Sequence, residues 1–155
     1  MCEPSACAAA DAGCARIYWR YLPAAASHGE QHRAGRLLLC DALRCAEGEV
    51  LLRPNGKPYV PGKPEFSLSH TRGLVMLALR VNGGAIGCDV ERLDRRIWNP
   101  EAILRKLSPA PEERALSLLQ LWVCREAAYK SGLEHPLIRF LAAPEGYVAA
   151  AAFER

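Results

Sequence analysis

Gly87-Cys88-Asp89-Val90-Glu91 lies inside residues 85–93, a segment apolar and β-branched enough to read as a strand. Side chains two apart on a strand share a face, so Asp89 and Glu91 emerge together while Cys88, Val90 and Arg92 alternate to the other side. Two carboxylates roughly 6–7 Å apart repel by about 2–3 kcal/mol at an effective dielectric of about 20. Something positive must sit between them, and Arg92, on the opposite face, is badly placed for it. A hard divalent cation would serve, since Mg²⁺ is typically held by one or two carboxylates while phosphate oxygens and water fill its other positions. The pentapeptide alone describes equally well two carboxylates pointing into solvent at a strand end.

The second informative stretch is Trp122-Val123-Cys124-Arg125-Glu126-Ala127-Ala128-Tyr129-Lys130. Residues 111–131 read as one helix, entered through Ser108-Pro109-Ala110-Pro111-Glu112 and closed by Gly132. Trp122, Glu126 and Lys130 are spaced by four and so lie along one helix face. That spacing also describes an ordinary solvated Glu126–Lys130 pair worth about 0.3–0.5 kcal/mol.

Between these stretches and the N-terminus the chain alternates strand and turn signals. Residues 73–81 form a continuous apolar run, and Asn82-Gly83-Gly84 is expected to fold it back directly onto the 87–91 strand as a hairpin. In residues 66–71 Ser67, Ser69 and Thr71 share one strand face, with His70 opposite. Hydroxyls and an imidazole beside a turn can donate hydrogen bonds to phosphate oxygens. No carboxylate–histidine pattern accompanies them to suggest a serine nucleophile. Lys57 sits on the turn Pro54-Asn55-Gly56-Lys57-Pro58, after a short strand over 50–53. Residues 15–22 read as a strand ended by Pro23. Ser27 with Glu30 forms a capping box that starts a helix over 28–45, on which Arg33 and Arg36 lie three apart.

Trp98 or Asn99 opens a short helix over 101–107, and residues 137–142 and 147–153 form a terminal hairpin around Pro144-Glu145-Gly146. Residues 15–85 and 86–155 therefore each contain a strand, a helical region and a hairpin, which predicts an α+β fold of two similar halves in one compact domain. Residues 1–14, Ala-rich and without a positive region or long apolar core, read as a flexible leader and not a secretory signal.

A chain of 155 residues, half of them apolar, can bury a substantial single core. No apolar run approaches a membrane span, which speaks against a membrane partner. The net charge of +3 is too small to argue for nucleic acid. Its distribution is more telling: residues 15–85 carry ten basic and five acidic groups, and residues 86–155 ten of each. An anionic ligand is expected to lean on the basic half while the carboxylates of the other half hold its metal. Seven scattered cysteines without a C-x-x-C pair argue for a reducing cytoplasm and against a zinc site.

Taken together these motifs resemble the 4′-phosphopantetheinyl transferases, most closely the surfactin-synthetase-activating type. The family pattern is a G-x-D-x-E strand followed by a W-x-x-K-E-x-x-x-K helix. Here these are Gly87, Asp89 and Glu91, then Trp122, Glu126 and Lys130, with Arg125 where the family usually has lysine. Gly56-Lys57-Pro58, Phe66-Ser67-Leu68-Ser69-His70-Thr71, and Leu107-Ser108-Pro109 with Glu112 look like further family segments, and the resemblance runs from about residue 15 to the C-terminus.

The resemblance implies two halves related by a pseudo-twofold axis, with the active cleft between them. It implies transfer of the 4′-phosphopantetheine arm of coenzyme A to a serine of an apo acyl or peptidyl carrier protein of fatty-acid or secondary-metabolite synthesis. Adenosine 3′,5′-bisphosphate would leave. Asp89, Glu91 and Glu126 would hold Mg²⁺, or Mn²⁺, against the pyrophosphate. Arg33, Arg36, Lys57, Ser69, His70 and Lys130 would meet coenzyme A. The catalytic pair would be Glu126, taking the serine proton itself or through a metal-bound water, and Lys130, offsetting phosphate charge and fixing Glu126. Arg125 would face carrier acidic residues or the protein's own surface. The expected state is a monomer with dimer-like halves; the competing possibilities are the smaller trimeric holo-carrier-synthase type and a non-catalytic coenzyme A- or carrier-binding protein.

Overall fold

Two antiparallel sheets packed face to face build the core, and a helix covers the outer side of each. The computed structural model describes residues 8–11 and 15–154. The first sheet contains β1 (Ala8–Asp11), β2 (Ala15–Tyr21), β5 (Phe66–Thr71) and β6 (Leu74–Arg80) in the order β1-β2-β6-β5. Strands β3 (Leu51–Leu52) and β4 (Pro58–Tyr59) form a separate two-stranded ribbon. The second sheet contains β7 (Ile86–Arg92), β8 (Leu137–Phe140) and β9 (Tyr147–Phe153) in the order β7-β9-β8. All pairings are antiparallel.

Strand periodicity sorts the side chains between layers. Ile17, Trp19, Leu74, Met76, Cys88, Val90, Ala149 and Ala151 meet between the two sheets. Val75, Leu77 and Leu79, on the alternate positions of β6, face Leu38, Leu39 and Leu43 of helix α1 (His28–Leu43). Ala150 and Ala152, the alternate positions of β9, face Val123, Cys124 and Ala127 of helix α3 (Leu118–Ser131). The small residues of β9 let that helix lie close to the sheet.

Strand β2, helix α1 and the β5–β6 hairpin recur in topology as β7, helix α3 and the β8–β9 hairpin. In each set the first strand pairs antiparallel with the last. The fold is thus mixed α+β, with the same strand order in residues 15–85 and 86–155.

Local signals place most helix ends. Ser27 and Glu30 form the capping box that opens α1. Asn99 caps helix α2 (Pro100–Leu107) by accepting the Ala102 N–H, and Gly132, at φ 70°, ends α3.

Two expectations are corrected. β6 and β7 do not form a hairpin: β6 already has β2 and β5 on its two edges, so the turn at Asn82-Gly83-Gly84 carries the chain across to the second sheet, where β7 pairs with β9. Residues 111–131 are not one helix. A 3₁₀ turn over Pro111–Glu113 precedes α3, because Ser117 and Gln120 form a capping box of their own that starts the helix at Leu118. Within the expected leader, Ala8–Asp11 pairs antiparallel with Arg16–Trp19 of β2; residues 1–7 and 12–14 lie outside the described residues.

Gly87 is required by a close approach. A Cβ there would stand 2.1 Å from the Ala127 carbonyl oxygen and 2.3 Å from the Ser131 nitrogen, both in the backbone of α3. Gly87→Ala must therefore displace the helix, and we expect a loss of at least about 2 kcal/mol in urea unfolding. The 3₁₀ turn is tied to α3 by Arg125, whose guanidinium donates to both oxygens of Glu113 at 2.7 and 2.6 Å. That hydrogen bonding, with the Ala110 N–H, holds the Glu113 carboxyl down to about 2. A depressed folded pKa contributes stability above the ordinary carboxylate value, and this is lost as pH falls through the folded value. Glu113→Gln should accordingly flatten the acid-side decline of stability between pH 4.5 and about 2.

Candidate functional site

Edge strand β7 has β9 on one side only, so on its other side alternate N–H groups need partners. The hydroxyls of β5, the edge strand of the first sheet, supply them. Ser67 Oγ accepts the Cys88 N–H at 3.0 Å, and Ser69 Oγ accepts the Val90 N–H at 3.3 Å. Ser69 Oγ also donates to Asp89 Oδ1 at 2.8 Å, and Thr71 Oγ1 donates to Glu91 Oε2 at 3.1 Å. The shared face of Ser67, Ser69 and Thr71 is as expected, but these hydroxyls close the seam between the sheets.

Asp89 is 5% exposed and Glu91 9% exposed, which rules out two carboxylates pointing into solvent. Each has its own cation. Lys130 Nζ lies 2.7 Å from Asp89 Oδ1 and 3.3 Å from Ser69 Oγ. Arg95 pairs with Glu91 Oε1, and its guanidinium stacks 5.3 Å above the Trp122 ring. The expected Glu126–Lys130 helix pair is replaced by this crossing of Lys130 to Asp89; Glu126 is half-buried on α3 and takes no hydrogen bond or ion pair among the described residues. Arg125 is engaged with the protein's own Glu113, while Glu112 is exposed.

Burial alone would pull the Lys130 ammonium towards neutrality. Asp89, joined by Cys88 and Glu126, outweighs that effect and leaves its pKa above the ordinary lysine value. Glu91 moves the other way for a carboxylate: burial raises its pKa, the Asp89 charge adds to the rise, and Arg95 and Thr71 only partly oppose it. The remaining oxygen of Asp89, Oδ2, is buried with no hydrogen-bond partner. An unpartnered carboxylate oxygen, beside a second buried carboxylate, is a donor set that fits a hard divalent cation. Glu126, the third expected ligand, lies on α3, and Asp89, Glu91 and Glu126 do not close into a group of three ligand atoms among the described residues.

Three cavities follow β5. The first, about 490 Å³, is lined by Lys57, Ser67, Tyr129 and Lys130 among others. The second, about 410 Å³, shares Lys130 with it and adds His32, Ser69, His70 and Asp89. The third, about 580 Å³, shares His70 with the second and adds Arg72, Glu91, Arg95 and Arg96. They form a series of hollows along the seam, with α1 contributing to the walls of the second and third.

The predicted ligand residues are only partly gathered there. Lys57 lines the first cavity, but its ammonium donates to the Ile86 carbonyl at 2.9 Å, and burial lowers its pKa. Ser69 and His70 line the second. Arg33 is exposed and Arg36 half-buried, and neither lines any of the three cavities; α1 presents His28, Gln31, His32 and Gly35 instead. The basic groups of the third cavity are Arg72, Arg92, Arg95 and Arg96, of which three come from the charge-balanced second half. The sequence signal for them was the basic cluster directly after Glu91, which the strand alternation argument passed over.

Removing the hydroxyl of Ser69 strands the Val90 N–H and leaves Asp89 Oδ1 with Lys130 alone. Ser69→Ala should cost about 1–3 kcal/mol in denaturant unfolding, the penalty of leaving buried polar groups unpaired. No protein-family model and no curated protein matches the chain, and the chemistry available to it is therefore read from the geometry of the seam.

Proposed function

We propose that this protein transfers the 4′-phosphopantetheine arm of coenzyme A to a serine hydroxyl of an apo acyl or peptidyl carrier protein. The observation that carries the proposal is the buried Asp89–Glu91 pair with its unpartnered Oδ2 atom, beside hollows lined by cationic and hydroxyl side chains. The order of the sequence motifs supports it, as does the equal strand order of the two halves, which agrees with a pseudo-twofold arrangement around that cleft.

Asp89, Glu91 and Glu126 would hold Mg²⁺ or Mn²⁺. Such a cation, when bound, neutralises charge on pyrophosphate oxygens and orients them for in-line displacement. The protein's own groups do the remainder. Arg72, Arg95 and Arg96 hold phosphate oxygens electrostatically at one end of the cleft. Lys130, kept charged by Asp89, sets a positive group beside the transferring phosphoryl group. The carrier serine oxygen forms a bond to the pantetheine-side phosphorus, and the anhydride bond to the adenosine bisphosphate breaks. Glu126, which takes no hydrogen bond or ion pair among the described residues, would take the serine proton.

The second reading is a protein that binds coenzyme A or a carrier without chemistry. The observation in its favour is that Lys130 and Arg95 already neutralise Asp89 and Glu91.

Intact mass of an apo carrier protein, after incubation with this protein, coenzyme A and Mg²⁺, decides between them. The expected result is a gain of one phosphopantetheine, abolished by EDTA. Asp89→Asn, which keeps the size of the side chain, should slow the gain on the order of a hundredfold or more, since metal-held charge is worth several kcal/mol in the transition state. No gain across several carriers, with coenzyme A still bound, would establish the non-catalytic reading.

A further inference from the structure

On the opposite face of β5 from the carboxylates, three imidazoles converge. His28 and His32 are four apart on α1 and so lie one turn above another. His70 reaches them from β5, with ring centroids 5.0 Å from His28 and 5.7 Å from His32, and one ring nitrogen from each residue falls within 4.8 Å of the others. Among the described residues this is the one such grouping of three metal-ligating side chains.

A second observation prepares one of the rings. Gln31 donates its amide nitrogen to the Ala26 carbonyl at 3.1 Å, which turns its Oε1 towards His70 Nδ1 at 2.9 Å. An amide oxygen only accepts, so Nδ1 must carry the proton and Nε2 is left with its lone pair free. Ligating histidines are commonly held in this way, by a hydrogen bond that sets the tautomer of the ring.

We propose that His28, His32 and His70 form a site for a borderline divalent transition-metal ion of the Zn²⁺ class, distinct from any hard-cation site at Asp89 and Glu91. Imidazole nitrogen suits Zn²⁺ and is a poor ligand for Mg²⁺. Zinc–nitrogen bonds of about 2.0–2.1 Å place tetrahedral donors roughly 3.4 Å apart, within reach of small rotations of His28 and His32, both exposed side chains. Three protein ligands leave a fourth position open. His28 and His70 border the cavity that holds Arg72, Arg95 and Arg96, so that position is taken by water or an anionic oxygen from that cavity. This inference does not depend on the transfer reaction.

The test is titration of the metal-free full chain with Zn²⁺, followed by chelator competition, in parallel with His28→Ala and His32→Ala. One equivalent should bind to the unaltered protein, and either variant should weaken it by at least about tenfold, a loss that even outer partners of a metal site produce. Because both positions are exposed on α1, circular dichroism of the variants should be unchanged. Co²⁺ in place of Zn²⁺ should give d–d bands without a thiolate charge-transfer band. Absence of binding, binding of unaltered strength in both variants, or a thiolate band reporting cysteine ligation would each overturn the site.

Discussion

Helix α3 can rest on strand β7 only because position 87 carries no side chain. The helix backbone at Ala127 and Ser131 occupies the space a Cβ would need. Nearly everything at the seam depends on this contact. Lys130 is next to it on the helix and Asp89 is two residues from it on the strand, so the close approach is what brings the ammonium to 2.7 Å from the carboxylate. The alanines of β9 serve the same end, since Ala150 and Ala152 present the smallest side chains that still bury apolar surface beneath Val123 and Ala127.

Charge balance follows from that geometry. Two carboxylates buried side by side would each lose much of their hydration, and their repulsion would add to the cost. The protein meets this with one cation from the helix that covers the strand and one from the loop that follows it. The two are not equivalent. Lys130 reaches Asp89 from a rigid helix and is itself half-buried, whereas Arg95 reaches Glu91 from a loop and is steadied by Trp122. Asp89 is therefore the better fixed of the pair, and it is also the one with an oxygen left over. A buried carboxylate oxygen without a partner costs stability unless something else uses it, and this is the physical ground for placing ligand chemistry at that atom.

Residues whose partners are near in sequence were legible in advance. The alternation of Asp89 and Glu91 against Cys88 and Val90, the Ser27–Glu30 capping box, the Asn99 cap and the Gly132 stop each depend on a few neighbouring residues, and the structure has them where the sequence puts them. What failed needed the third dimension. Asn82-Gly83-Gly84 announces a turn, but nothing local says that both edges of β6 are already taken. The helix pattern of residues 111–131 hides a stronger local competitor, the Ser117–Gln120 box. Spacing by four aligned Glu126 with Lys130 correctly, yet a flexible lysine follows the nearest buried charge, and that charge comes from another element.

The same limit explains the basic groups. Counting charges by halves pointed to residues 15–85, because composition has no knowledge of which side chains face a cleft. Arg33 and Arg36 lie on α1 away from the lining of the three cavities, while Arg92, at the end of β7, and Arg95 and Arg96, in the loop that follows, line the third. Strand β5 then sorts the ligand chemistry by its alternation. Ser67, Ser69 and Thr71 point to the carboxylates of the second sheet, whereas Leu68 and His70 point to α1. Oxygen donors collect on one face of the strand and imidazole nitrogens on the other, only one residue apart at Ser69 and His70. A one-residue slip of β5 would exchange the two sets, so the hydroxyl ladder that fixes its register along β7 also keeps the two kinds of donor apart.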